Sequence, residues 1–462
     1  MADNLPAALV RDLWAQSGLP SAAMTRLSLS NSGALLSSSF QVGAAAQSAI
    51  AAAALAATEV AVQRGRPELT VRVDQRAAEL ECTGYFTLDG ELPDAWAPLS
   101  GLYPCADGYV RIHANFDHHR DGALALLDIP QPPGQVSREM VASALRNWSA
   151  EDFETAASEK GLPVTAARDF AGFDQTAQGR AVRTMPLISI TRIGEAEPRV
   201  PVPLRPGQKP LTGIRVLDLT RILAGPVCGR TLATYGADVM LINSPRLPNI
   251  RAIVDTSRGK RSAWLDLEHT EGRKGLENLI RDANVFVQAY SPDSLARRGY
   301  GPAELAALSP GIVVTSLSAW GTSGPWASRK GFDSLVQTAM GFNMAEAQAT
   351  GSDIPRALPV QILDFASGFL MALGAQTALL RQMQSGGSYL VEVSLARTAL
   401  WLRSMGRCPL VVTDQPDWNG LCTDFPSAWG ELRAAPHGAE FSDFDTRDVR
   451  PSVPPGTDAP VW

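Results

Sequence analysis

Apolar and polar positions along the chain follow two different rhythms. Up to about residue 197 the signals are mixed. Residues 6–16 recur at helical spacing and predict a short amphipathic helix, and Ser28 to Ser39 is polar and turn-rich. The stretch 43–62 is mostly alanine and carries Gln47, Ser48, Thr58 and Glu59, which suits a buried helix better than a membrane span. After a turn at Arg64-Gly-Arg-Pro, Leu69-Thr-Val-Arg-Val alternates with strand period. Residues 101–116 predict a hairpin of two short strands around Ala106-Asp-Gly. Helices are expected at 137–147 and 151–160. Five prolines between Pro198 and Pro210 mark a linker.

Beyond the linker, strands and helices alternate cleanly. Strands are predicted at 214–219, 238–242, 285–287 and 312–317, with helices at 227–235, 270–282, 292–298 and 302–308. Repeated units of this kind predict an α/β fold with a doubly wound parallel sheet. The last sixty residues are rich in proline and are expected to be irregular and draped over the surface. The chain also echoes itself. A shift of 320 residues lays Gln41–Leu80 beside Gln361–Leu400 without a gap, each block reading helix, glycine turn, V-x-V strand, helix. In that register Asp364 faces Ala44.

Composition narrows the function classes. Of 462 residues, 45% are hydrophobic and 19% charged, as in ordinary folded proteins, and the length predicts two or three domains. The formal charge is −6 and no run of cations stands out, so nucleic acid is not expected as a partner. The five cysteines are scattered and form no C-x-x-C pair, which indicates neither a disulfide framework nor a zinc site. The start, Met-Ala-Asp-Asn-Leu-Pro, lacks the regions of a signal peptide, and a cytoplasmic enzyme without membrane partners is the expectation. Neither G-x-G-x-x-G nor a P-loop is present, which speaks against a dinucleotide or ATP.

One carboxylate stands out. In Gln361-Ile-Leu-Asp-Phe-Ala-Ser-Gly, Asp364 lies between two apolar runs. The residues alone allow a helix N-cap or a nucleophile at a strand-to-helix turn. Arg258, Lys260 and Arg261 form one cationic group, and Arg297 and Arg298 another; by pattern alone each reads as a solvated face. His113, His118 and His119 have no carboxylate at metal-site spacing and read as a polar surface patch. Most tryptophans should be packing, with Trp320 and Trp326 as candidate pocket walls.

From Gly213 to about Leu402, an ordered series of motifs resembles the class III CoA-transferase family, the group of formyl-CoA transferase, carnitine CoA-transferase and α-methylacyl-CoA racemase. The series runs Gly213-Ile-Arg-Val-Leu-Asp-Leu-Thr-Arg-Ile-Leu-Ala-Gly-Pro, Tyr235-Gly-Ala-Asp-Val, Arg258-Gly-Lys-Arg-Ser and Ala283-Asn-Val-Phe-Val. It continues through Ser291-Pro-Asp-Ser-Leu-Ala-Arg-Arg-Gly-Tyr, Ser316-Leu-Ser-Ala-Trp-Gly-Thr-Ser-Gly-Pro and Gly331-Phe-Asp-Ser, ending at Leu363-Asp-Phe-Ala-Ser-Gly. Residues 81 to about 195 resemble the family's smaller α+β domain, which normally comes second. The resemblance thus implies a Rossmann-like large domain at 213–402 and a small domain at 81–197, joined by a linker at 198–212. A degenerate partial repeat occupies 1–80 and a tail 403–462. A homodimer and an intramolecular pseudo-dimer are both open.

The resemblance implies transfer of coenzyme A between an acyl-CoA and a free carboxylic acid, with Asp364 as covalent nucleophile and no metal. A helix N-terminus should favour the anion and lower its pKa, and N–H groups around Phe365 to Gly368 could receive the oxyanion. Leu223 and Ala224 match the loop beside the thioester. Arg297 matches a CoA contact, and Arg258, Lys260, Arg261, Ala289, Tyr290 and Lys330 are the other expected CoA neighbours. Departures accompany these matches. Leu223 replaces a glutamine, Asn243-Ser244 stands where an acidic and a basic residue are common, and Glu268 replaces a lysine. No glycine-rich loop precedes Leu102, so oxalate or formate specificity does not carry over. Phe332 holds the place of the racemase histidine and cannot shuttle a proton. The rival readings are a CoA-binding protein without turnover, and an acyl-CoA racemase or isomerase.

Overall fold

The computed structural model describes residues 5–94, 96–291, 293–410 and 418–462. Its centre is a seven-stranded sheet with spatial order Lys260–Trp264, Asp238–Asn243, Arg215–Leu219, Val285–Gln288, Val313–Ser318, Ser388–Ser394 and Ser189–Gly194. The first six strands are parallel, and Ser189–Gly194 closes the edge antiparallel to Ser388–Ser394. Valine, leucine and isoleucine crowd the inner strands because helices cover both faces, so neither face needs to suit water. The expected doubly wound parallel sheet is present, and its order reverses between Arg215–Leu219 and Val285–Gln288. A crevice opens there, at the carboxyl ends of the strands.

Several elements depart from the pattern. Lys260–Trp264 is an edge strand with Lys260, Ser262 and Ala263 buried, where the sequence reads as a group of exposed cations. Asp333–Ala339 and Phe342–Thr350 are helices that the periodicity did not reveal. The predicted helix 292–298 contracts to a 3₁₀ turn, Ala296–Arg298, and Pro292 lies outside the described residues.

The echo of 320 residues is physical. Long helices begin at Val42 and Ile362, shorter ones at Gln75 and Leu395, and a strand precedes each shorter helix. Strand Val71–Asp74 lies between parallel Leu27–Ser30 and antiparallel Ala439–Phe441. Ser388–Ser394 likewise lies between a parallel and an antiparallel neighbour. The long helices Val42–Gln63 and Ile362–Ser385 pack along each other, and the Gln376 amide donates to the Ala53 carbonyl across them (3.0 Å). The alanines of Val42–Gln63, buried along almost its whole length, allow that close approach. Both helices are long and apolar enough to cross a bilayer, yet here they are buried in the protein.

Gly101–Pro104, Tyr109–Ile112 and Val164–Ala166 form a separate antiparallel sheet, packed with its own helices around Tyr103, Val110, Leu145 and Phe153. The tail is more ordered than its prolines suggest. Leu432–Ala434 pairs with Phe86–Leu88, and Ala439–Phe441 supplies the edge for Val71–Asp74. Residues 411–417 of the tail lie outside the described residues.

Candidate active site

Asp364 occupies the first turn of the helix Ile362–Ser385, whose N-cap is Gln361, so the capping role does not belong to Asp364. Another carboxylate fills that role. The N–H groups of Leu363 and Asp364 donate to Oδ2 of Asp333 (2.8 and 3.0 Å), and the Gln337 amide donates to Oδ1. Asp333 belongs to the Gly331-Phe-Asp-Ser motif and opens the helix Asp333–Ala339, fully buried.

This arrangement reverses one expectation. Burial, and then the neighbouring Asp333 charge, push the Asp364 carboxyl well above the usual carboxylate range. Burial likewise pushes Asp333 up, although the two backbone donors, Gln337 and the Arg111 charge all favour its anion. Two close carboxylates buried from water cannot both ionise cheaply. Asp333 holds the hydrogen bonds that stabilise an anion, so Asp364 is the member that retains a proton. The proposed oxyanion donors also change. The Phe365 N–H is spent on the Gln361 carbonyl (3.1 Å), and the next ones lie inside the helix.

The donor that faces Asp364 comes from another helix. Ala224–Thr234 begins at the carboxyl end of strand Arg215–Leu219, with Leu223 as N-cap. The Ala224 N–H lies close enough to the Asp364 carboxyl to favour its anion. First-turn N–H groups lack partners within their own helix, so this end is an anion-attracting site. Two glycines permit the approach. A Cβ on Gly368 would stand 2.6 Å from the Ala224 carbonyl oxygen and 2.8 Å from Val227 Cβ. A Cβ on Gly225 would stand 2.4 Å from Thr220 Cγ2.

Asp364 opens onto a cleft of about 330 Å³ at the carboxyl ends of the parallel strands. Leu223, Ala224, Ala289, Tyr290 and Lys330 line it with Asp364, and the cations Arg221 and Arg329 join them. Burial lowers Lys330, and among the described residues it has no ion pair. Phe116, His118 and His119 reach in from the smaller domain. His113 and His119 are buried rather than a surface patch, and His113 stacks on Phe332 with ring centroids 3.8 Å apart. Burial holds His119 down to about 3, and neither of its ring nitrogens has a partner among the described residues.

Other expected CoA contacts are elsewhere. Lys260 is fully buried beneath the sheet, paired with Asp218 (2.8 Å) and donating to the Pro226 carbonyl (2.9 Å). Arg258 is buried between Asp255 (2.7 Å) and the Phe425 ring, 4.0 Å from its centroid. Arg261 pairs with Asp238 (3.3 Å) and reaches the Val461 carbonyl. Burial explains this: a cation whose side chain lies inside the protein must find a counter-charge there, not a phosphate outside it. Arg297 is exposed on the 3₁₀ turn just past Ser291 and Ser294, which line the cleft. Trp320 and Trp326 pack edge-on at 5.0 Å within the core and are not cleft walls. Arg221 and Arg329 were the missed cations. Arg221 lies within the first quoted motif and Arg329 directly precedes Lys330, but nothing in their spacing separates them from solvated arginines.

Residues 211–413 match the sequence profile of CoA-transferase family III. An acyl-CoA transferase of Gibberella moniliformis is 29% identical over 316 residues, covering 64% of this chain and 55% of that protein. A probable fatty acyl-CoA transferase of Mycobacterium tuberculosis is 31% identical, covering 45% and 57%. A succinate–glutarate CoA-transferase of Agrobacterium fabrum is 32% identical, covering 41% and 52%. The chain thus spans about half the length of these relatives. Over residues 211–413 the chain is thus similar to CoA-transferase family III.

Proposed function

We propose that the protein is an enzyme moving coenzyme A from an acyl-CoA to a free carboxylic acid through a covalent intermediate on Asp364. The observation that carries this reading is a buried carboxyl that opens onto a cation-lined cleft beside a helix N-terminus. In its ionised form Asp364 attacks the thioester carbonyl, and the C–S bond breaks to release CoA thiolate and leave a mixed anhydride. The thiolate then attacks the aspartyl carbonyl, expelling the first acid and leaving an aspartyl-CoA thioester. An acceptor carboxylate attacks that carbonyl and displaces the thiolate, which takes the new acyl group and frees Asp364. Each step exchanges one carboxylate for one thiolate, so no water or cofactor is consumed. The Ala224 N–H and its helix end are placed to meet oxyanion charge, an effect worth about 3 kcal/mol per donor. Arg221, Arg329 and Lys330 supply positive charge for the CoA phosphates.

Incubation with acyl-CoA and hydroxylamine should inactivate the enzyme by converting the aspartyl-CoA thioester to a hydroxamate with release of CoA, detected at Asp364 by peptide mass. Asp364→Ala should be inert. Full CoA exchange by that variant would overturn the nucleophile.

His119 motivates a second reading, since its neutral imidazole stands beside the cleft with an open lone pair, although burial holds it down to about 3 and leaves it a weak base. An isomerase of acyl-CoA would wash deuterium into the α-carbon with no acceptor acid present, and the transferase would not.

A further inference from the structure

A second and larger cavity lies behind Leu223. Its volume is about 1090 Å³, and Leu223 is the one residue it shares with the Asp364 cleft. Phe365 and Gln361 form the wall nearest the first turn of the Asp364 helix, with Phe86, Trp96, Leu358 and Trp418 among its apolar surfaces. Two buried polar groups face this space without partners. Arg111 is 8% exposed and, among the described residues, makes no ion pair or side-chain hydrogen bond; its Nε is unsatisfied. The Ser334 hydroxyl, 4% exposed, is unsatisfied too. A buried guanidinium without an anion is costly, and native proteins avoid it unless something else supplies the counter-charge.

The other charged groups on the wall do not meet that need. Asp255 is bound to Arg230 and Arg258, and Asp94 and Arg251 are exposed. Asp333, whose charge Arg111 feels, spends its oxygens on Leu363, Asp364 and Gln337. Burial lowers Arg111 only to about 10, so it is charged at neutral pH.

We propose that this chamber binds a bulky, largely apolar carboxylic acid, with its carboxylate held by Arg111 and Ser334. The volume is at the upper end of small-molecule sites and far exceeds what a one- or two-carbon acid would fill. Trp96, with the Arg111 guanidinium 4.9 Å from its ring centroid, holds that cation over the apolar floor. If the transfer reading above is right, this is the acceptor's chamber. CoA and acid then approach the Asp364 turn from opposite sides of Leu223, and the leucine that replaced a glutamine is the apolar partition.

The test is calorimetric titration with 2-naphthoate and with its uncharged analogue 2-naphthylmethanol. Naphthoate should bind the wild type and Asp364→Ala equally. Arg111→Met should weaken it tenfold or more, as expected for losing a charge-assisted hydrogen bond, and leave the alcohol unchanged. Ala357→Trp, at an exposed position on the chamber wall, should block both ligands and covers the case in which Arg111→Met fails to fold. Absent naphthoate binding, or binding indifferent to Ala357→Trp or to a folded Arg111→Met, would overturn the proposal. Because binding is read without turnover, loss of the nucleophile reading would leave this result standing by itself.

Discussion

Gly368 places the two helices that build the site, and adding one methyl there tests the geometry. Gly368 lies one turn beyond Asp364 on the same helix. In Gly368→Ala the new carbon would meet the Ala224 oxygen at 2.6 Å and Val227 Cβ at 2.8 Å, well inside van der Waals contact. One contact is backbone and the other a branched carbon next to backbone, so neither can swing aside. The helix Ala224–Thr234 must back away by several tenths of an ångström. Overpacking of this kind costs about 1–3 kcal/mol. At about 2.1 cal/mol/K of unfolding entropy per residue, a cooperative chain of 462 residues should lose roughly 1 °C in Tm per kcal/mol, measurable by calorimetry. The same displacement draws the Ala224 N–H away from Asp364 and from the charge that develops there in the reaction. A hydrogen bond to a charged group is worth about 1.5–3 kcal/mol, so CoA exchange should drop roughly 10- to 100-fold, chiefly in kcat. A variant with wild-type Tm and wild-type exchange would refute the claim that close helix contact positions the donor.

Three further outcomes follow from the charges. Asp333→Asn removes the anion that raises Asp364, so the alkaline-rising limb of single-turnover acyl transfer should move to lower pH; an unmoved limb would refute the coupling. Both carboxyls are raised in the folded state, so their contribution to stability is present below the ordinary carboxylate range and is lost as pH rises through the folded values, about 7 for Asp333. Asp364→Asn should therefore gain stability over the wild type as pH increases from about 5 to 8 in thermal melts, and a pH-independent difference would count against it. Glu81, held down to about 2 mainly by His437 and Arg230 against burial, titrates below that window and does not confuse it. Lys260→Met leaves Asp218 buried without its counter-charge and should cost about 3–5 kcal/mol in chemical denaturation. A rise in KM for CoA without that loss would instead restore Lys260 to the cleft.

The hydrophobic pattern by itself determined much of the architecture. Strand–helix alternation after residue 213 predicts the parallel sheet, because inner strands must be apolar on both faces. The 320-residue echo reveals two helix–strand–helix units, since each must bury the same kind of face. Asp364 stood out as a lone carboxylate between apolar runs, but the pattern left a cap and a nucleophile both open, and only the family resemblance favoured the second. Strand Lys260–Trp264 was not legible, because three of its first four residues are polar and only pairing with Asp238–Asn243 and the distant Asp218 makes them suitable for burial.

The same limit governs the site. Sequence proposes that Asp364 caps its own helix and is acidified by it; tertiary structure gives the cap to Asp333, thirty-one residues earlier, and thereby raises Asp364 instead. Periodicity reports which face of an element is apolar, and so it determines what is buried. Charge state depends on the few ångströms between groups far apart in the chain, and only the folded packing of several elements decides those distances.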